Sequence, residues 1–292
     1  MTTAAKIVSA YLASPVYGAL APSTQRTRSR WLERWLATLP PGAPAHQTRA
    51  DLRAFVLTAS PPCQVHVKGA LVAAYDWALD CEVVVGNPAL RLKTPRVEKP
   101  SLPPRFIPFE AFLQWRDRSK SIFVPAFSLM IAAGLRASSV APGAPLELFG
   151  RGDGHFLRYD NIKMRRRGCV IALSAQGVSA AAQWIETRGG AKGEFAHSLN
   201  SALRYGTPLI AVDGDGRTHH ASSHCARSTF ATVAWRALRG DVFELQKLLN
   251  HEGDIRVTGG YVRDVPDALT DAWLLSGWMP ELRKRQRTND FT

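Results

Sequence analysis

Acidic residues are scarce in this chain, and cysteines scarcer still. Asp and Glu number 24 against 37 Lys and Arg in 292 residues, a formal net charge of +13. That deficit of negative charge implies a polyanionic partner, either nucleic acid or an anionic membrane face. The four cysteines, Cys63, Cys81, Cys169 and Cys225, are widely spaced and form no C-x-x-C pair. This excludes a disulfide framework and a common zinc module, and it reads as reduced intracellular thiols. Long apolar runs are also missing, and none approaches membrane-spanning length. Met1 to Ala21 holds Lys6 and several alanines but no sustained apolar core, so no signal peptide is expected. With neither an insertion nor an export signal, the expected partner is nucleic acid and the expected location cytoplasmic. There is no internal repeat and no long low-complexity segment.

What is present suffices for real cores: 46% hydrophobic residues and eight Trp. The length fits one large or two modest domains. A boundary is expected within Asn87 to Arg105, where Pro and charge dominate and too little apolar material is available to pack. It divides the chain into a helical region (1–95), a linker (96–105) and a mixed α+β region (106–292). The first region reads as three or four short helices. One is capped by Ser23 or Thr24 and runs through about Leu39. Its apolar stripe is Trp31, Leu32, Trp35, Leu36 and Leu39, and Arg26, Arg30 and Arg34 lie at four-residue steps on the opposite face. Such a row suits phosphates along a DNA backbone. A second helix starts near Thr48 and is stopped by Pro61-Pro62. A third spans about Val65 to Leu79.

Beyond the linker, helices are expected at Pro108 to Lys120 and, nearly all apolar, at Phe123 to Ala133. The second of these ends at Gly134-Leu135-Arg136. Phe156 to Lys163 and Cys169 to Leu173 read as strands of a hairpin, joined by the turn Met164-Arg165-Arg166-Arg167-Gly168. Ala141 to Gly154 reads as a connector. Further helices are expected at Val178 to Thr187 and Ser223 to Leu238, with another opened by Asp241 and a capping-box pattern to Glu244. His224 and Arg227, three apart, should project together from the edge of a core face. His251 should stand just past the next helix, with Gly253 as its stop. Downstream, Leu269, Trp273 and Leu274 suggest an apolar face for docking a partner. Arg151-Gly-Asp153, the calcium-like Asp213-Gly-Asp215-Gly216 and the local group His219, His220, His224 and Cys225 are set aside, and no metal or cofactor is expected.

One constellation names a reaction. A phosphodiester under attack gathers negative charge on its non-bridging oxygens, and two guanidiniums can clamp those oxygens without moving a proton. Arg136 and Arg227 are the candidates. A tyrosine hydroxyl, with an ordinary pKa near 10, needs a base or strong polarisation to attack. Tyr261 is the candidate nucleophile and His224 the base. Lys163 is placed to protonate the leaving oxygen, and His251 to hydrogen-bond the phosphate. Arg165, Arg166 and Arg167 add DNA-facing charge at the hairpin.

In the stretches Ala133-Gly-Leu-Arg136, His224-Cys-Ala-Arg227, Leu248-Leu-Asn-His251 and Tyr261-Val-Arg263 the chain resembles the tyrosine recombinases, or phage integrase family. The likeness covers most of the chain. It implies a mainly α fold with a small β-hairpin or sheet. An N-terminal helical core-binding (SAM-like) bundle would precede a mixed α+β catalytic domain with a C-terminal docking tail. It also implies a site-specific recombinase of mobile DNA acting through a 3′-phosphotyrosyl intermediate. Double-stranded DNA would be the partner, with a dimer on each site and a tetramer at synapsis. Strand relaxation of the type IB topoisomerase kind and non-catalytic DNA binding by a recombinase derivative remain alternatives. Two departures stand out. Ser139 occupies a position, three after the first arginine, where the family usually carries an acid. The step from His251 to Tyr261 is one residue longer than is typical.

Overall fold

The structure is a computed structural model. It describes residues 2–94, 105–162, 166–191, 194–251, 255–262 and 265–280, without the side chains of 256 and 257. The chain forms two compact units, Met1–Leu102 and Pro103–Thr292.

Among the described residues the first unit is a bundle of five helices. They are α1 (Ala4–Leu12), α2 (Pro15–Gly18), α3 (Pro22–Leu36), α4 (Arg49–Thr58) and α5 (Pro61–Asp80). α1 buries Ala4, Ile7, Val8 and Tyr11 at helical spacing, a stripe outside the helices expected from the sequence. The starts of α1 and α2 are set by Thr3 and Ser14, whose side chains accept the backbone N–H of Lys6 and Tyr17. The cap expected at Ser23 or Thr24 is not used. Ala21 precedes the helix and Pro22 opens it, since proline lacks the N–H that a first turn leaves without a partner. The same physics corrects the reading of Pro61-Pro62, which start α5 rather than merely stop α4. α4 begins with a reciprocal cap between Thr48 and Asp51. The long α5 packs against α1, α3 and α4. Tyr11, Leu32, Trp35, Leu52 and Tyr75 fill the space between them. The chain after α5 also belongs to this core. Asn87 donates to the Val72 carbonyl and Asp76, and Ala89 and Leu92 are buried. The packing of the bundle therefore extends through Leu92.

The second unit is built around α7 (Val124–Ala133), buried along nearly its whole length. A helix that is apolar all round can only be satisfied in the middle of a core. α6 (Phe109–Arg118) precedes it and the short α8 (Ala137–Val140) follows. A three-stranded antiparallel sheet comes next, ordered β1 (Leu146–Arg151), β2 (Gly154–Asn161) and β3 (Arg166–Leu173). The segment read as a connector thus contains an edge strand, and the hairpin is a sheet. Arg166 and Arg167 stand in β3 rather than in the turn.

α9 (Ala175–Thr187) packs on α7, and α10 (Phe195–Arg204) leads to the hairpin β4 (Ile210–Val212) and β5 (Thr218–His220). Asp213 holds that hairpin's turn by accepting from the Asp215 and Arg217 backbone and from His219. α11 (Ser223–Ala237), α12 (Val242–Leu248), α13 (Ile255–Gly259) and α14 (Asp267–Leu275) complete the unit. The face expected to dock a partner through Leu269, Trp273 and Leu274 is engaged within its own unit. Trp273 is fully buried, donates to the Ile107 carbonyl and packs on Phe109 and Phe112. Residues 281–292 lie outside the described residues.

Candidate active site

α7 ends in a glycine because the chain must turn left-handed there: Gly134 has φ +60°. A side chain at this position would collide with the Phe230 ring of α11. The turn carries the buried Leu135 and delivers Arg136 as the residue that precedes α8. Arg136 is half-buried. Its Nη1 donates to Asn161 Oδ1 at 3.3 Å and its Nη2 lies 3.1 Å from His251 Nε2.

Arg227 does not sit at the edge of a face, as its spacing from His224 suggested. Residues Cys225–Ala234 of α11 are all buried, because α7, α10, α12 and α14 all pack against this helix. Arg227 is 3% exposed. Its Nη1 donates to the Gly134 carbonyl at 2.5 Å. Its Nη2 reaches the Leu249 carbonyl at 2.7 Å and His251 Nε2 at 2.8 Å. Among the described residues Nε is buried with no hydrogen-bond partner. Burial, and then the neighbouring Arg136 charge, lower its pKa to about 10. The group remains a cation at neutral pH.

The two arginines therefore converge on one atom. Guanidinium groups only donate, so His251 Nε2 must be the acceptor and carry no proton. The proton then sits on Nδ1, which lies 3.0 Å from Thr258 Oγ1 of α13. His251 stands just past α12, where Asn250 takes the left-handed conformation (φ +49°). Gly253, expected as the stop, lies outside the described residues, and Asn250 makes this turn. Asn250 also donates to the Tyr159 hydroxyl of β2 at 2.7 Å, which ties the helix end to the sheet.

Tyr261 lies one residue beyond α13, after Gly260. Its backbone N–H donates to the Thr258 carbonyl, and its carbonyl accepts from Thr232 of α11. Its ring centroid lies 5.2 Å from that of His251 and 5.2 Å from that of His224. The Arg227 guanidinium carbon is 5.5 Å from the Tyr261 ring centre. Arg136, His224, Arg227, His251 and Tyr261 are thus brought together by α8, α11 and the ends of α12 and α13. His224 is the exposed member, at the first turn of α11.

Lys163 and Arg165 lie outside the described residues. Arg166 and Arg167 are at the start of β3, where Arg166 pairs across the sheet with Asn161. Arg26, Arg30 and Arg34 belong to the other unit, exposed along α3. Arg34 stacks on Trp31, and Arg26 and Arg30 line a shallow groove with Ser23, Thr27, Ser29 and Trp31.

Asn161 was not among the expected residues, and a signal for it exists. Leu157, Tyr159 and Asn161 occupy alternate, inward positions of β2, and all three are buried. An asparagine in a slot that period-two patterning reserves for an apolar side chain implies a polar partner.

The sequence matches no family model and no curated protein. Solved structures do share its architecture. The Tn1549 transposon integrase, in complex with transposon right end DNA, aligns with a TM-score of 0.56 at 16% identity, over 94% of this chain and 99% of that one. A lambda integrase tetramer bound to a Holliday junction aligns with a TM-score of 0.64 at 16% identity, over 90% of this chain and 78% of that one. The XerH site-specific recombinase bound to a palindromic difH substrate aligns at 0.57 and 14% identity, over 85% and 78%. The chain has the tyrosine-recombinase fold. Within the tyrosine-recombinase fold seen here, the arginine–histidine–tyrosine cluster sits in the second unit. There α11 supplies two of its five side chains.

Proposed function

We propose that this protein is a site-specific DNA recombinase that cuts and rejoins strands through Tyr261. The single observation that carries the reading is the convergence of two guanidiniums, Arg136 and Arg227, on one point beside the Tyr261 ring. Donors fixed in advance around the place where charge develops are what phosphoryl transfer most needs.

In this reading the scissile phosphate enters the arginine pair and takes the hydrogen bonds that His251 Nε2 now accepts. The Tyr261 hydroxyl attacks phosphorus and gives up its proton, with His224, whose ring adjoins the phenol, as the base. The bond from phosphorus to the 5′ oxygen breaks, and Lys163 supplies the proton that this oxygen gains. The phosphorus is then joined to the 3′ oxygen of one strand and to the phenol. Attack by the 5′ hydroxyl of a second strand reverses these events and exchanges the strands, with no net change in bond type and no need for ATP.

DNA is held by Arg26, Arg30 and Arg34 on α3, by Arg166 and Arg167 of β3, and by Arg165. The structural neighbours include lambda integrase as a dimer on a COC′ core site and as a tetramer on a Holliday junction. The same assembly is proposed here, two protomers on a site and four at synapsis. No helix among the described residues is long and apolar enough to cross a membrane, and we assign the protein to the cytoplasm.

The test uses nicked duplexes in which the short strand beyond the cut diffuses away, so that a covalent adduct accumulates. A pool with randomised flanks supplies candidate sites. The wild-type chain should form a protein–DNA adduct, and Tyr261→Phe should bind the same duplexes and form none. Binding without any adduct from the wild type would reduce the protein to a DNA-binding one. Relaxation of a plasmid carrying two recovered sites, without exchange products, would reassign it to topoisomerase chemistry.

A further inference from the structure

We propose that Asn161 is a positioning residue, whose amide locks Arg136 to the corner of the chain formed by Asn250 and His251. The inference rests on the recombinase reading for its catalytic consequence, and on geometry for its substance.

Asn161 is 2% exposed, and both arms of its side chain are used. Oδ1 accepts from Arg136 Nη1 at 3.3 Å and Nδ2 donates to the Asn250 carbonyl at 3.4 Å. The orientation of the amide is fixed by its neighbours, since a guanidinium cannot accept and a carbonyl cannot donate. The Asn250 side chain continues the link to the buried Tyr159 hydroxyl. One strand thus contributes Tyr159 and Asn161, which grip the two ends of Asn250, and Asn161 alone also grips Arg136. A change in the angle of Arg136 is thereby coupled to a change in the backbone that carries His251.

The chemistry of this link matters as much as its shape. The acceptors that the hydrogen bonds show for Arg136 and Arg227 are the Gly134 and Leu249 carbonyls, Asn161 Oδ1 and His251 Nε2. All are neutral. Ser139 bonds Arg136 only between backbones, its N–H to the Arg136 carbonyl. An aspartate at 161 would hold Arg136 equally well. It would also set a negative oxygen against the Asn250 carbonyl and neutralise charge that an incoming phosphate requires. Only a carboxamide offers an acceptor on one arm and a donor on the other without a charge of its own.

The experiment compares full-length wild type, Asn161→Leu, Asn161→Asp and Arg136→Lys, with the double variant Arg136→Lys/Asn161→Leu. Single-turnover adduct formation on a nicked duplex is measured beside the affinity for the same duplex. Asn161→Leu should slow cleavage about 30-fold with affinity within about twofold, as for partners that orient a catalytic group. Asn161→Asp, which keeps the acceptor arm but adds a negative charge and loses the donor arm, should also cleave below the wild-type rate. The double variant should cleave no more slowly than Arg136→Lys alone, because Asn161 acts through Arg136. Wild-type cleavage by Asn161→Leu or by Asn161→Asp, or fully additive losses in the double variant, would each overturn the proposal. A second readout needs no catalysis. The Arg136 guanidinium nitrogens, followed by nitrogen-15 NMR and assigned with Arg136→Lys, should be resolved and slowly rotating in wild type and averaged in Asn161→Leu. Equal averaging in both overturns the positioning role. Resolved signals in a wild type that never forms an adduct would uphold it and sink the recombinase reading alone.

Discussion

Arg26, Arg30 and Arg34 and the pair Arg136 and Arg227 are the same side chains put to opposite uses. The first three stand exposed on one helix face, four residues apart, and Arg34 stacks on Trp31. Like charges at that spacing cost a helix a few tenths of a kcal/mol per pair, about 0.2–0.5. A phosphate backbone laid along the row would remove the cost. Arg227 is the reverse case. It has lost nearly all its water, its pKa has fallen to about 10, and three acceptors from two segments, the Gly134 turn and the end of α12, fix its plane. An exposed cation contributes mainly its charge, which salt screens, whereas a buried one contributes a direction, which salt barely touches.

Removing the buried member should have the largest effect. Arg227→Ala should slow adduct formation by about a thousandfold or more, the scale of losing a fixed donor to the developing charge. Single-turnover kinetics at two salt concentrations checks it, and the loss should be the same at both. If salt alters the loss strongly, the contrast between charge and direction fails. Next comes the turn that aims the pair. Gly134→Ala would force a side chain into a left-handed position against Phe230, and should lower stability by about 2–4 kcal/mol in urea unfolding.

The triple change Arg26, Arg30 and Arg34 to Gln should weaken DNA binding about 10–100-fold at moderate salt. It should also flatten the slope of log affinity against log salt by about 3 if each side chain meets a phosphate. Cleavage by the bound complex should be unchanged, and an unchanged slope would remove α3 from the interface. The smallest effect concerns an anion. The side-chain hydrogen bond from His219, ahead of two backbone N–H groups, holds the Asp213 carboxyl below its ordinary value of 3.8. A depressed folded pKa means stability that is present above about pH 4 and lost as pH falls through the folded value. Asp213→Asn should therefore be slightly less stable than wild type at pH 6, and the difference should vanish in acid. A difference that persists at pH 2 would show that the turn's shape, rather than its charge, is what matters.

The two regions also differ in how far they could be read from residues alone. The α3 face was legible because a helix repeats every 3.6 residues, and the buried Leu32 and Trp35 mark its other side, whereas Trp31, expected with them, borders the arginine row. The order His224, Arg227, His251, Tyr261 was legible as a set of residue types suited to one reaction. The burial of Arg227 was not, since it depends on four helices that enclose α11. β1 was missed because Leu146–Arg151 is a short edge strand flanked by Pro and Gly, whose partner β2 decides its conformation. Asn161 was missed as a site residue because its partners are 25 and 89 positions away in the chain.

Local periodicity, the excess of positive charge and the kinds of side chain gathered in the candidate site were all set by the amino-acid sequence itself. Those properties depend on neighbours within a turn or two of chain. Which arginine is buried, which nitrogen of His251 carries the proton, and which asparagine ties Arg136 to the His251 corner were decided only in the folded unit. Hydrogen bonds act over about 3 Å in space and take no account of separation along the chain.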